Sequence, residues 1–206
     1  EVDPARQREV SYHEVLELQD AFTALEECRM PTIASIQGAC VGGAIDMTAA
    51  CDMRYCSENA FFKIAEVDIG IAADVGTLQR LPSLIPLAKL RELAFTGRKF
   101  DSAEAKSLGF VNEVFESEET LAKEVQKIAE NIASKSPLVT RVIKKQINYA
   151  RDHTVRDSLD FHAVWNASLI SGKDMQEAMK AYVNKTNGEY DDLEPKKSFW
   201  EKEGLI

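Results

Sequence analysis

A run of small residues around a glycine pair, GACVGGAIDMTAACD at 38–52, constrains the fold more than any other feature of the chain. The β-rich stretch TIASIQG leads into it, and the small apolar segment from Gly43 onward is typical of a buried helix. The order is therefore strand, tight turn, helix. Because the first amides of a helix are unpaired and its dipole favours negative charge there, Gly42 and Gly43 are predicted to hold an oxyanion.

A second stretch, AEVDIGIAAD at 65–74, contains three carboxylates: Glu66, Asp68 and Asp74. The residues around them look like packed interior: Ile69, Ile71, Ala72 and Ala73. Because burying an ionised carboxylate without partners is costly, acids in such company are either surface loop residues or groups placed for chemistry. Asp46 lies one turn into the predicted helix, and the connections are long enough to bring Glu66 and Asp74 back to it. Asp68 is expected to form a turn or a salt bridge.

The rest of the first half alternates between strand and helix patterns. Ser11 and Glu14 form a capping-box pattern, which predicts an amphipathic helix over 11–28. The segments MRYCS, AFFKI and FVNEVF are typical of short strands, and VGTLQRLPSLI and PLAKLRELAF are typical of helices. This alternation predicts an α/β fold.

Beyond Glu116 the pattern changes to helices only. One apolar stripe marks the first of them: Leu121, Val125, Ile128 and Ile132. Pro137 is predicted to lie in the first turn of the second helix, and Thr154 with Asp157 to open a third, which Gly172 should end. The segment KDMQEAMKAYVNK is predicted to form one more helix.

At 206 residues the chain has the length of one sizeable structural unit, since single cores commonly reach roughly 250 residues. Within it we distinguish a strand-containing part, 1–116, from a helical part, 117–206. The helical part ends in a charged tail with Phe199 and Trp200. These aromatic side chains are expected to pack either on a neighbouring subunit or on their own domain.

Charge and hydropathy restrict the partners of the chain. A net charge of −9 and a pI of about 5.0 argue against broad attraction to nucleic acid phosphates, although a local basic patch can still bind a small anion. Membrane insertion is not expected, because no stretch approaches the roughly 20 apolar residues that span a bilayer. No leader precedes Glu1, so any targeting segment is expected to be absent from this sequence, and the terminal GLI does not match the SKL-type peroxisomal address.

The sequence offers no pattern for metal or dinucleotide chemistry. His13, His153 and His162 lack metal-ligand spacing with the cysteines, so no metal site is expected. Neither a G-x-S-x-G elbow nor a G-x-G-x-x-G fingerprint is present. The cysteines show no CxxC pairing, which suggests a reducing compartment, and Cys40 and Cys51 are expected to be buried thiols.

The segment IASIQGACVGGAIDMTAACDMRYCSENAFFKIAEVDIGIAADVGTLQRLP resembles the signature region of the enoyl-CoA hydratase/isomerase, or crotonase, superfamily. The similarity continues through AFTGRKFDSAEAKSLGFVNEVF and the carboxy-terminal helices. Within the superfamily, the set Asp46, Glu66 and Asp74 is similar to that of the dienoyl-CoA isomerases. The hydratases have a glutamate where Asp46 stands and typically a small residue where Asp74 stands.

The resemblance implies a role for each of these residues. Glu66 would remove a proton from C2 of a 3,5-dienoyl-CoA, Asp74 would return one at C6, and Asp46 would lie between them. The Gly43 amide, next to Gly42, would stabilise the thioester oxyanion. The family takes its second donor from an earlier loop, and no segment before residue 11 matches it. An amino-terminal part of the fold is therefore expected to be missing from this sequence.

A basic run on the second predicted helix of the 117–206 part has two interpretations. Lys144 and Lys145, with Arg141, could contact the phosphates of coenzyme A, including those bound by a neighbouring subunit. They could equally form a solvated helix face. The sequence leaves both open.

The resemblance also implies a fold, an assembly and a compartment. Residues 1–116 would form part of a crotonase spiral core, and 117–206 a trimerisation region in a trimer or dimer of trimers. The reaction would belong to β-oxidation of unsaturated fatty acids in the mitochondrial matrix or peroxisome, with coenzyme A thioester as substrate and no cofactor. Two alternatives stay open: an enoyl-CoA hydratase or simple enoyl-CoA isomerase, and a non-catalytic acyl-CoA-binding or assembly subunit.

Overall fold

The computed structural model describes residues 3–195, and the chain divides into two compact units, Glu1–Ala129 and Glu130–Ile206. The strands are β1 (Ile33–Ile36), β2 (Ala39–Val41), β3 (Met53–Ser57), β4 (Phe61–Lys63), β5 (Phe100–Asp101) and β6 (Glu113–Phe115). The helices are α1 (Pro4–Glu26), α2 (Gly43–Ala50), α3 (Thr77–Arg80), α4 (Leu87–Thr96), α5 (Ser102–Ser107), α6 (Glu118–Ala133), α7 (Pro137–Ala150), α8 (Val155–Leu169) and α9 (Lys173–Asn184). The division falls inside α6, and the domain assignment of 1–116 and 117–206 stays a prediction. None of the helices described is long and apolar enough to cross a membrane.

The strands form two three-stranded sheets, which confirms the α/β prediction. In the first, β3 pairs in parallel with β1 and β6, with Ile33 opposite Met53. In the second, β4 pairs in parallel with β2 and antiparallel with β5, with Val41 opposite Lys63. Helix α2 follows β2 directly and leads into β3. The glycine pair therefore lies where a strand of the second sheet ends.

Helix α1 begins earlier than the sequence predicted. Its first residue is Pro4, and the carboxylate of Asp3 accepts the amide two residues on at 3.3 Å. Proline is well suited to the first position of a helix, because the amide that it lacks would have no acceptor there. The prediction of a start near Ser11 was wrong, since Ser11 and Glu14 lie inside this helix.

The core of the first unit is built on three phenylalanines. The ring centroids of Phe62 and Phe100 lie 5.2 Å apart in a stacked arrangement, and Phe110 meets Phe62 edge-on at 5.4 Å. Ile45 of α2 and Leu93 of α4 are fully buried in the same cluster. The buried face of α2 is thus packed in the core, and this packing fixes the direction in which the N-terminus of α2 points.

Arg54 on β3 holds the other end of α2. Its buried guanidinium donates to the carbonyls of Thr48 and Cys51 at 3.2 and 2.7 Å, and to that of Phe110 at 2.7 Å. Burial lowers the pKa of Arg54 from its ordinary value. A cation at the C-terminal end of a helix also complements the helix dipole, so Arg54 stabilises the orientation of α2.

In the second unit, the predicted helix starts are confirmed. Pro137 opens α7, and the hydroxyl of Thr154 accepts the amide of Asp157 at 3.2 Å to open α8. Helix α8 ends at Leu169 rather than at Gly172, which is instead the N-cap of α9. Between them the chain turns through extended and left-handed residues. The predicted packing of Phe199 and Trp200 lies outside the described residues.

Candidate active site

The glycine pair forms a tight turn into α2. Gly42 has a φ of +57° and a ψ of −125°, which only glycine adopts readily, and its amide donates to the carbonyl of Lys63 at 3.0 Å. Gly43 is the first residue of the helix, so its amide has no acceptor within α2. Of the pair, Gly42 therefore serves the turn, and an oxyanion-holding role for the Gly43 amide stays a prediction.

The carboxylate of Glu66 lies against this turn. A Cβ atom added at Gly42 would lie 3.3 Å from Glu66 Oε1, so any larger residue would crowd the carboxylate. Glu66 opens a 3-10 turn, Glu66–Ile69, that follows β4. Its Oε2 atom is buried without a hydrogen-bond partner among the described residues. The Oε1 atom of this carboxylate thus faces the start of α2.

Asp46 is fully buried one turn into α2 and is joined to Thr77. Its Oδ1 accepts the Thr77 amide at 2.5 Å, while Oδ2 and the Thr77 hydroxyl have no partner in the part of the chain that is described. Sequence reasoning missed Thr77. The sequence feature that could have indicated Thr77 is its position just after Gly76, near the start of the predicted helix VGTLQRLPSLI.

Asp74 is exposed, and the expectation of a packed interior around it was wrong. Ile69 and Ile71 are 75% and 54% exposed, and of the four apolar residues only Ala73 is buried. The reason is that Gly70, with a φ of +77°, ends the 3-10 turn and leads into an irregular segment on the surface. The main-chain carbonyl of Asp74 accepts the side-chain amide of Gln19 on α1 at 2.6 Å, which fixes the segment.

A cavity of about 430 Å³ lies beside the 3-10 turn. It is lined by Ile64, Glu66, Val67, Gly70, Ile71, Ala72, Ala73, Leu78, Ala94 and Phe95. Of the three predicted acids, Glu66 lines this cavity, whereas Asp46 and Asp74 do not. The cavity is therefore an apolar groove with one carboxylate, and a shared pocket for all three acids stays a prediction.

The predicted phosphate-binding lysines differ in exposure. Lys144 is only 7% exposed, so a solvated face does not describe it, whereas Lys145 is exposed. The Lys145 ammonium lies 4.9 Å from the ring centroid of Trp165 on α8. A role for either residue in binding coenzyme A stays a prediction.

The four cysteines are free thiols. Cys40 and Cys56 are buried, and burial raises the pKa of each thiol to about 11. Cys51, which was expected to be buried, is only half-buried. Within residues 3–195, no group of three or more His, Cys, Asp or Glu side chains is arranged to hold a metal ion.

Short parallel strands, and a helix that begins after a glycine and faces the Glu66 carboxylate, define an α/β protein with one carboxylate beside an apolar groove. Residues 5–193 match the family described as enoyl-CoA hydratase/isomerase, and the chain belongs to that family. Its structure is similar to that of an enoyl-CoA hydratase from Bacillus anthracis, with a TM-score of 0.83 and 30% identity over 92% of this chain and 71% of that one. The crotonase fold predicted from the sequence is confirmed.

Curated relatives are more similar in sequence. A protein of Arabidopsis thaliana named Delta(3,5)-Delta(2,4)-dienoyl-CoA isomerase, peroxisomal, is 46% identical over 183 residues, which cover 89% of this chain and 66% of that protein. A mitochondrial protein of the same name from Rattus norvegicus is 44% identical over 81% of this chain and 51% of its own length. The chain thus spans between about half and two thirds of the length of these relatives.

Proposed function

We propose that the protein isomerises 3,5-dienoyl-CoA to 2,4-dienoyl-CoA in the β-oxidation of unsaturated fatty acids. The observation that carries the proposal is the approach of Glu66 Oε1 to Gly42 at the start of α2, at the edge of an apolar groove. The names of the relatives from Arabidopsis thaliana and Rattus norvegicus support the same reaction. The coenzyme A thioester is the substrate, and the chemistry requires no further cofactor.

The reaction moves one proton and two double bonds. Glu66 removes a proton from C2, and the electrons shift along the diene to give an extended dienolate whose charge lies largely on the thioester oxygen. The Gly43 amide and the positive end of α2 stabilise that oxygen, as preorganised donors do in acyl-CoA chemistry. Protonation at C6 by Asp74 then leaves double bonds at C2 and C4. Asp46, held by the Thr77 amide, lies between the two proton-transfer groups in this scheme.

Turnover of a 3,5-dienoyl-CoA by the full chain, followed at the absorbance of the 2,4 product, tests the proposal. General acid catalysis typically contributes 10²–10⁴-fold, so Asp74→Asn should lower kcat on about that scale and change KM little. Asp160→Asn, an exposed change on α8, is the matched control and should leave turnover unaltered. If Asp74→Asn stays within about twofold of the parent, the isomerase assignment loses its main argument.

Hydration is the second candidate, and a specific observation favours it. The solved structure from Bacillus anthracis that resembles this chain is named an enoyl-CoA hydratase. A hydratase adds water across C2 and C3 and gains nothing from an acid that protonates C6. Hydration therefore predicts that Asp74→Asn is as active as the parent and that the product is a 3-hydroxyacyl-CoA. Binding of an acyl-CoA without any turnover would instead favour the non-catalytic subunit.

The compartment and the assembly are part of the proposal. The relatives carry the words peroxisomal and mitochondrial in their names, and we assign this protein to one of these organelles. We also propose a trimer or dimer of trimers formed through the carboxy-terminal helices. Exposed apolar side chains on α8 support this assembly.

A further inference from the structure

Of the three acids in the 65–74 stretch, Asp68 has no role in the proposed chemistry. Its Oδ2 atom lies 2.5 Å from the ammonium of Lys63, and both side chains are partly exposed. Asp68 is not among the residues that line the groove. An ion pair in this setting contributes little to the free energy of unfolding. Its role therefore depends on the parts of the chain that it connects.

Lys63 is attached to the site in two ways. Its main-chain carbonyl accepts the Gly42 amide at 3.0 Å. Its ammonium forms an ion pair with Asp68, which follows Glu66 in the sequence. The same residue therefore contacts the glycine turn through its backbone and the 3-10 turn through its ammonium. Glu66 lies between the two ends of the pair in sequence, and its Oε1 faces the Gly42 that Lys63 holds.

The carboxylate of Asp68 is confined from a second side. A Cβ atom added at Gly97, the residue that ends α4, would lie 2.8 Å from Asp68 Oδ1. The amide of Asp68 also donates to the carbonyl of Ala65 at 3.0 Å. The 3-10 turn is thus anchored to β4 by Lys63 and packed against the end of α4.

We infer that Lys63 and Asp68 form a positioning pair that fixes the Glu66 carboxylate relative to the amino-terminal end of α2. The proposal rests on the proposed function in one respect only, the use of Glu66 as the base. A misplacement of about 1 Å in a reacting group can cost on the order of 10²-fold in rate. A weak surface pair can therefore matter to kcat while it hardly matters to stability.

The test compares Asp68→Asn, Lys63→Met and the double variant, with Lys63→Arg as the conservative change. Each single neutral variant should lower kcat about tenfold, with KM within about twofold, because the groove is unaltered. The double variant should lose no more than either single one, since both remove the same interaction. Lys63→Arg should retain the parent kcat. Glu124→Gln removes the exposed Lys127–Glu124 pair of α6 and should have no effect.

Salt supplies a readout that a purely structural role would not move. The Debye length falls to about 3 Å at 1 M ionic strength, so salt should lower the kcat of the parent toward that of Asp68→Asn. The kcat of Asp68→Asn should depend on salt less steeply. A parent and a variant with the same salt dependence would overturn the inference.

Amide hydrogen exchange separates this inference from the proposed function. The amides of Gly70 and Ile71 donate within the turn, to Val67 and Glu66, and they should exchange faster in Asp68→Asn than in the parent. Unchanged exchange, or faster exchange with an unchanged kcat, overturns the positioning pair. A parent protein that does not turn over 3,5-dienoyl-CoA overturns the proposed function, and the exchange result then decides the pair alone.

Discussion

Asp46 is a fully buried carboxylate whose hydrogen bond comes from a main-chain amide. Because a buried polar group without a partner is costly, this hydrogen bond offsets part of the cost of burying Asp46. Thr77 lies 31 residues further along the chain. The sequence predicted Asp46 as a site residue from its place after the glycine pair, but nothing local could identify the amide that holds it.

Removal of the Asp46 carboxylate should destabilise the protein. Asp46→Ala leaves the buried Thr77 amide without an acceptor, which typically costs about 1–3 kcal/mol. Asp46→Asn keeps an acceptor oxygen for that amide, so its loss of stability should be smaller. Urea unfolding of both variants measures the difference. Equal losses would mean that the bond to Thr77 contributes nothing to the free energy of unfolding.

The residues of the candidate site differ in how far the sequence reveals them. Glu66 and Gly43 were predicted from local patterns, because an acid in apolar company and a glycine before a helix are visible within a few residues. Lys63 was not, since its role depends on contacts with Gly42 and Asp68 that only the folded chain brings together.

Among the elements, α1 is joined to α3 by polar contacts. None of its residues is fully buried. Arg80 at the end of α3 forms an ion pair with Glu26 at 2.8 Å and donates to the Thr23 hydroxyl at 3.2 Å. The guanidinium passes so close to Gly76 that a Cβ atom there would lie 1.9 Å from Arg80 Nη1. Glycine at this position is therefore required for the contact between α3 and α1.

Loss of the Arg80 side-chain charge should loosen α1. Arg80→Met removes the largely buried ion pair with Glu26, and a broken pair of this kind is costlier than an exposed one. We expect cleavage within Pro4–Glu26 by a limiting amount of protease to become at least several-fold faster. Arg91→Met, an exposed change on α4, serves as the control. Cleavage at the parent rate would show that other contacts hold the helix.

The elements found from the sequence are those with clear hydrophobic patterns. β1 and β3 were predicted from β-rich runs, α2 from its small apolar residues, α6 from an apolar stripe, and α7 and α8 from the residues that begin them. β2, β5 and α5 were missed: the residues of β2 were assigned to the tight turn before α2, and β5 and α5, with two and six residues, carry too little pattern. The exposed segment after Gly70 was misread as interior, because apolar composition alone does not reveal whether another part of the chain covers it.

At the scale of the whole molecule, α8 carries apolar side chains that the described chain leaves exposed. Val155, Leu159 and Val164 are 78%, 65% and 73% exposed. Leu159→Glu should shift a trimer or larger assembly toward monomer, because a carboxylate in an apolar interface is costly to desolvate. Light scattering at matched concentration measures the change, with Leu87→Glu on α4 as the control. A parent protein that is monomeric at high concentration would contradict the proposed assembly.

The proposed isomerisation is tested most sharply by running the reaction of the full chain on a 3,5-dienoyl-CoA in deuterated water and locating the label by NMR. We expect a 2,4-dienoyl product with deuterium at C6, because Glu66 removes a proton from C2 and a solvent-exchanged acid delivers one at the far end of the diene. Glu66→Gln should suppress exchange of the C2 protons of the substrate. A 3-hydroxy product with deuterium at C2, or a 2,4-dienoyl product without deuterium at C6, would contradict it.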